Sequence, residues 1–417
     1  MNQTIVEKII SAHCGRRVYA GETVVADIDL AMATDGSGPL TIDLFHQMGK
    51  SRLHDPARIM LVLDHYVPCP NDKVARLHDK MRGFCRENGC TLFDLGEGIG
   101  HQLLPEKGCI MPGTIVVGAD SHAGTYGALN ALGTGIGSSD LAAVMATGKL
   151  WLKVPDTIKL ELSGRLADQV SAKDLALYLV GRLGSSGANY KSLEFCGPPL
   201  PDFDMDDRLT ICNMMVETGA KCTIMPFDRI TEDFLSRTQS KDFTPVAADQ
   251  GATYENKISL DLNEIAPQIA APHQVDNVHP INDFKDTPID MVVIGTCTNG
   301  RLKDLQQAAA ALKKHDKAPG VELLVVPASR QIFSRAAAQG LLEIFSDHGA
   351  MVLPPGCGPC CGSSAGIPGD HKNIFSTANR NFLGRMGNVR ASIYLGSPIS
   401  AAAAAITGKI TDPRRMK

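Results

Sequence analysis

The sequence predicts an α/β protein of several domains built on largely parallel sheets. Two observations lead there. Strand-like apolar runs alternate with helical stretches almost throughout, the pattern that parallel sheets with crossover helices impose. A length of 417 residues exceeds what one hydrophobic core organises and implies two to four domains. The composition is that of a globular chain, with 44% hydrophobic and 21% charged residues. A net charge of −4 and the lack of long basic runs argue against nucleic-acid or anionic-membrane binding. No apolar stretch reaches the roughly 18 residues that a bilayer span needs.

The elements follow in order. Ile5, Ile9 and Ile10 recur at helical spacing among charges, which reads as a first helix rather than a secretion signal. RIMLVLD (58–64) and TIVVGAD (114–120) are short buried strands that close on Asp64 and Asp120, with His65 and His122 close behind. A helix is expected from Leu141 to Lys153. The GTGIG before it has alternating glycines and no strand running directly into it, so it does not match a dinucleotide fingerprint. Pro155 and SGRL (163–166) open a second segment, and APHQVDNVHPINDFKD (271–286) is expected to be a linker. Beyond it, DMVVIGT (290–296), VELLVVP (321–327) and AMVLPP (350–355) read as strands. RQIFSRAAAQGLLEIFSDHG (330–349) reads as mostly helix and SAAAAAITG (400–408) as an Ala-rich helix. The expected domains are 1–155, 156–275 and 276–417.

The 12 cysteines lack a secretory context, which argues for a reducing cytoplasm. Cys14, Cys85, Cys196, Cys212 and Cys222 have no metal-ligand spacing and read as small buried hydrophobes. Three others stand apart. Ligand sites in parallel α/β sheets form beyond the carboxyl ends of strands. Cys297 in GTCTNGR and Cys357 and Cys360 in GCGPCCG follow such ends. Structural zinc wants four ligands, and a thioredoxin-like pair wants a helix start. Three thiolates suit a [4Fe–4S] cluster with one open iron best, although spacing alone leaves zinc and redox chemistry open. By themselves His65 and His122 read as hydrogen-bonded core histidines.

VLDHYVP, GADSH, NMMVETGAK, GTCTNGR, GCGPC and STANRNFLGRMG occur in this order. Together they resemble the aconitase superfamily, in particular the large subunit of its two-chain hydro-lyases, over nearly the whole chain. The resemblance implies three α/β domains around a [4Fe–4S] cluster, with the swivelling fourth domain absent from this chain and carried by a small subunit. It implies dehydration and rehydration of a 2-hydroxy di- or tricarboxylic acid. 3-Isopropylmalate is the expected substrate, with homoaconitate, citramalate and 2,3-dimethylmalate as alternatives. A metal-binding protein without activity on the same scaffold is the reading of another class.

Residue by residue, the resemblance assigns Cys297, Cys357 and Cys360 to the cluster. It assigns Asp64 and His65 to an acid pair for the leaving hydroxyl, and Asp120, Ser121 and His122 to a triplet beside cluster and substrate. Asn213 and Glu217 match groups near the open iron, and Asn379, Arg380 and Arg385 match groups at the cluster edge and the substrate carboxylates. Arginine suits a bidentate grip on carboxylates, and an Asp beside a His can keep the imidazole protonated. Asn299, in the loop of Cys297, is expected to donate to cluster sulfur. The family's base serine has no counterpart in matching context; GSSD (137–140) and GSSAG (362–366) are the nearest strings. A small partner subunit is therefore expected to supply it.

Three features depart from the pattern: Cys361 beside a ligand cysteine, the glycine-rich TDGSGPL (34–40), and GSSAGIPGDHKN (362–373). Cys361 is read as a neighbour rather than a fourth ligand. TDGSGPL is expected to widen the substrate pocket. His101, His371 and Arg390 are read as structural.

Overall fold

The computed structural model describes residues 2–238 and 243–416. It is α/β, and its main sheets are three. The first has five parallel strands in the order Thr91–Phe93, Ile59–Val62, Leu30–Thr34, Ile115–Gly118, Leu132–Gly135. Ile59–Val62 and Ile115–Gly118 are buried along their whole length, as strands covered on both faces must be. The helix Ile5–Cys14 packs Ile5, Ile9 and Ile10 into the same core as Leu61 and Val117, closed by a Thr4–Glu7 capping box and by Gly15.

The second sheet has four parallel strands, ordered Cys222–Ile224, Ser192–Cys196, Thr157–Ser163, Asn256–Asp261. The third has seven, ordered Val278–Pro280, Gln268–Ala270, Ser392–Leu395, Asn373–Ser376, Met291–Gly295, Glu322–Val326, Met351–Val352. Its last five strands run parallel, and Gln268–Ala270 pairs antiparallel on both sides. One hydrophobic cluster joins all three sheets, taking Met32 and Val62 from the first, Leu160 and Leu193 from the second, and Val293 and Ile393 from the third.

Two expectations need correction. The helix expected over 141–153 runs Ser138–Thr147 and stops at Gly148, whose φ is 69°. Lys149–Lys153 is instead a strand of alternating burial that pairs antiparallel with Thr23–Asp27. The stretch 271–286 is not a plain linker, because Val278–Pro280 forms the edge strand of the third sheet. The stretch 330–349 is mostly helix as expected, in two pieces, Arg330–Ala338 and Leu341–Asp347, broken at Gly340 in the left-handed region.

Strand order places the site. In the first sheet the order reverses between Leu30–Thr34 and Ile115–Gly118, and in the third between Asn373–Ser376 and Met291–Gly295. Crevices open at the carboxyl ends of strands at such switch points. Asp35, Asp64 and Asp120 follow the strand ends of the first sheet, and Cys297, Cys357 and Asn379 follow those of the third. The two crevices meet where the backbone N–H of Cys357 donates to Asp64 O at 2.8 Å.

Candidate active site

The Asp64–His65 turn is built on a buried carboxylate. Asp35 accepts the N–H groups of Asp64, His65 and Tyr66 at 3.3, 2.8 and 3.1 Å, and His78 Nε2 lies 2.9 Å from its other side. Burial opposes the charge on Asp35, but His78 and His65 outweigh it and lower its pKa. Within that turn His65 Nδ1 stands 2.7 Å from Asp64 Oδ1, while Gly100 N–H donates to Asp64 Oδ2 at 2.9 Å. Burial works against a charged His65, yet Cys357 and then Asp64 hold its pKa well above the ordinary value. Burial raises the Asp64 carboxyl and the Cys357 thiol as well, so what the geometry fixes is the ring's orientation, with Nδ1 on Asp64 and Nε2 towards Asp120.

Asp120 closes the opposite wall. One oxygen receives His122 N–H at 2.8 Å and faces His101 Nε2 at 2.8 Å; the other lies 3.6 Å from His65 Nε2. Burial penalises its charge, but His101 and His122 hold its pKa well below the usual carboxylate range. A relay continues from there. His122 Nε2 is 3.1 Å from Glu217 Oε1, and Arg380 Nε donates to the same oxygen at 2.8 Å. Glu217 is depressed by His122 and then Arg380 despite its burial, so it is a carboxylate.

The three thiols sit opposite this relay. Gly295, with φ 139°, would put a Cβ 2.1 Å from Val326 O, so only glycine can turn the strand end towards Cys297. Cys297, Cys357 and Cys360 are all buried. Asn213 and Asn379 point Nδ2 at Cys297 Sγ from 3.5 and 3.3 Å. Arg385 reaches Cys360 Sγ at 3.7 Å, and Cys357 Sγ lies 3.8 Å from His65 Nδ1. Burial first, then the nearness of Cys360, pushes the Cys297 thiol up to about 11.

The aconitase family (aconitate hydratase) profile matches residues 7–288 and 282–408. The chain belongs to the aconitase family. Within it, the chain is 48% identical to the 3-isopropylmalate dehydratase large subunit 1 of Thermotoga maritima, over all of both chains. It is 47% identical to the 3-isopropylmalate dehydratase large subunit of Elusimicrobium minutum, again over all of both. It is 45% identical to the probable methanogen homoaconitase large subunit of Methanosarcina mazei, over 94% of this chain and 100% of that one. In fold it resembles Thermococcus kodakaraensis aconitase X, with a TM-score of 0.52 at 14% identity over 86% of this chain and 84% of that one. The sequence motifs thus point to the right family and to the large-subunit branch.

An iron–sulfur cluster, which the aconitase family implies, suits this donor set. Three desolvated thiols lie among N–H groups aimed at sulfur, and Arg385 Nε is buried without a partner. Cys361 Sγ lies 2.6 Å from Ser363 Oγ and 3.9 Å from the His65 carbonyl. Asn299 gives its Nδ2 to Asp304 Oδ1 at 3.0 Å rather than to a cysteine, so the sulfur-facing amides are those of Asn213 and Asn379. Ser121, exposed at the rim, has its Oγ 3.4 Å from His122 Nδ1. Ser363 and Ser364 donate to the carbonyls of His65 and Val67, and Ser138 and Ser139 begin a helix.

Several residues of the site escaped the sequence reading. His101, read there as structural, bridges Asp120 and the Tyr126 hydroxyl (3.3 Å) and is buried. Asp35 carries the His65 turn. Buried Arg301 donates to the carbonyls of Cys297 and Thr298 at 2.9 and 2.7 Å, fixing the first cysteine loop. The only signal for Asp35 was an acid directly after the apolar run LAMAT.

Proposed function

We propose that the chain is the large subunit of an iron–sulfur hydro-lyase that dehydrates and rehydrates a 2-hydroxy acid, 3-isopropylmalate foremost, in branched-chain amino-acid (leucine) biosynthesis in the cytoplasm. The observation that carries the reading is three buried thiols, one of them 3.8 Å from His65 Nδ1, beside an Arg380–Glu217–His122 relay. Cys297, Cys357 and Cys360 are the ligands of a [4Fe–4S] cluster with one open iron. When bound, the cluster supplies Lewis acidity to a substrate hydroxyl and carboxylate.

The chain's own groups do the rest of its share. His65, held by Asp64, delivers a proton to the departing hydroxyl from the Nε2 side, which faces Asp120. Asp120 stays ionised between His101 and His122 and steadies the imidazole while its charge changes. Glu217 and His122 form the opposite proton-handling pair. Arg380 and Arg385 grip carboxylates, with Ser121 and Asn213 at the substrate's edge. Removal of the neighbouring C–H proton needs a further base, because Asp120 and Glu217 are held in pairs with His101, His122 and Arg380. A small subunit brings it, as the large-subunit names of the relatives suggest.

Homoaconitate is the second reading. A relative named for that substrate matches closely, and Gly36 leaves space against His65: a Cβ there would meet the ring at 3.8 Å. The test has two stages. Anaerobic reconstitution is expected to give about four irons and four sulfides per chain, falling towards three irons in air. The chain assembled with its small subunit is then given 3-isopropylmalate, homoaconitate, citramalate and 2,3-dimethylmalate while ultraviolet absorbance follows the conjugated alkene. One zinc per chain without sulfide would overturn the enzyme reading. Iron and sulfide uptake with all four acids inert would overturn the substrates.

A further inference from the structure

Lys173 has no part in that chemistry, yet it is fully buried, at 0% exposure. It begins the helix Ala172–Leu183, the end at which a cation is least favoured. Its ammonium donates to Thr377 O at 2.9 Å and Ala378 O at 2.7 Å and lies 3.6 Å from Met214 Sδ. All three protons have partners, and none of the partners carries a charge. Burying an ammonium this way is strongly unfavourable unless negative charge stands near.

Burial draws the Lys173 pKa down to about 7, and the acidic groups whose charge pulls it back up are, in order, Cys297, Asp304, Cys360 and Asp174. Two of them are committed elsewhere. Asp304 accepts from Asn299 and the Arg301 N–H, and Asp174 accepts from Gln268 N–H, Ser171 N–H and Ser171 Oγ. The other two are cysteines of the cluster site. The grip of the ammonium leads to the same place. Ala378 precedes Asn379, whose amide points at Cys297 Sγ, and Thr377 Oγ1 accepts Gly295 N–H at 2.8 Å, two residues before Cys297.

We propose that Lys173 is the buried counter-charge of the iron–sulfur cluster, raising its reduction potential and holding the Thr377–Arg380 turn against it. Three thiolates leave the cluster with net negative charge, which grows when one electron is added. A fixed cation in a dry site therefore favours the reduced form. Lys173 is a positioning residue, and the inference rests on the iron–sulfur reading.

The test is an anaerobic redox titration of the reconstituted chain followed by electron paramagnetic resonance, for wild type, Lys173→Met and Lys173→Arg. Lys173→Met is expected to raise the ratio of oxidised to reduced cluster about tenfold at a fixed potential, a fall of about 59 mV for a one-electron couple. Lys173→Arg, which keeps the charge, stays within about threefold of wild type on the same scale. Folded Lys173→Met that binds no iron and sulfide, while Lys173→Arg does, also supports the proposal. Equal potentials in wild type and Lys173→Met would overturn it, because lost packing alone removes no charge. If Lys173→Met does not fold, Met214→Glu decides: a carboxylate set against the ammonium lowers the potential in the same direction, and an unchanged potential overturns the proposal. Failure of wild type itself to take up iron and sulfide counts against the iron–sulfur reading instead.

Discussion

Asp35 shows how far the site depends on a residue that never meets substrate. Its carboxylate orders three successive N–H groups through the turn that carries His65, and it also holds His78. An amide in its place keeps one acceptor oxygen and sets an NH2 group against N–H donors. A buried donor left unpaired costs about 1–3 kcal/mol. Asp35→Asn is therefore expected to lower stability by about 2–4 kcal/mol in urea unfolding. Activity of the assembled enzyme should drop at least tenfold, with iron and sulfide content unchanged. Stability equal to wild type would show that the turn holds itself. The same residue marks the limit of sequence reading. Asp64, His65, Asp120 and His122 stand out because acid and histidine adjoin at strand ends. Asp35 and His101 act on partners from other elements, and Arg301 is itself held by Gln102 and Thr210; no local pattern records such pairings.

At the scale of elements, legibility followed length and burial. The fully buried strands Ile59–Val62 and Met291–Gly295 were plain as apolar runs. Val278–Pro280 spans three residues, too few to show a period, so it reads as a linker. KLWLK after Gly148 alternates as a strand does, and this marks where the preceding helix ends. Gly148 ends that helix with φ 69°, and a Cβ there would sit 2.4 Å from the His54 ring. Gly148→Ala should cost about 1–3 kcal/mol in chemical unfolding; a neutral result would mean that His54 yields freely. A second element carries a pH signature. His13, at the end of the first helix, lies 2.7 Å from Asp29 Oδ2, and Asp29 also accepts Ile115 N–H at 2.8 Å. Burial lowers the pKa of His13, but Asp29 and the Ile9 carbonyl outweigh it and raise the value above 6.5. Asp29 is also opposed by burial and is held below 3.8, chiefly by His13. The histidine's contribution is full below pH 6.5 and fades as pH rises through its raised value; the carboxylate's is full above pH 3.8 and fades as pH falls through its depressed value. His13→Asn should thus destabilise most between those limits, by about 1 kcal/mol, and progressively less at alkaline pH. A stability gap independent of pH would assign the effect to packing.

For the whole molecule, the arrangement of the thiols decides what a bound cluster would do to the fold. All three come from the third sheet's loops, but their contacts do not. His65, on the first sheet, lies against Cys357, and the Asp64 carbonyl receives its N–H. Asn213, near the end of the helix Met205–Met214 that packs on the Ser121–Leu129 turn, reaches Cys297. A group that binds only this assembled arrangement stabilises it by mass action, by about 2.7 kcal/mol at a hundredfold excess over its dissociation constant. A chain with several cores does not unfold in one step, so the gain belongs to particular segments rather than to a single melting point. Hydrogen exchange of the reconstituted and chelator-stripped chains should show it. Protection is expected to rise around 64–67, 121–125, 210–218, 357–361 and 377–385. The helix Ile5–Cys14 and the ribbon of Thr23–Asp27 with Lys149–Lys153 touch none of these contacts and should exchange alike in both forms. Protection confined to the two cysteine loops would mean that the three sheets come together without help from the cluster. Protection in all five stretches would make the cluster the point at which they are fastened, and air exposure would then loosen the crevice as well as stop the reaction.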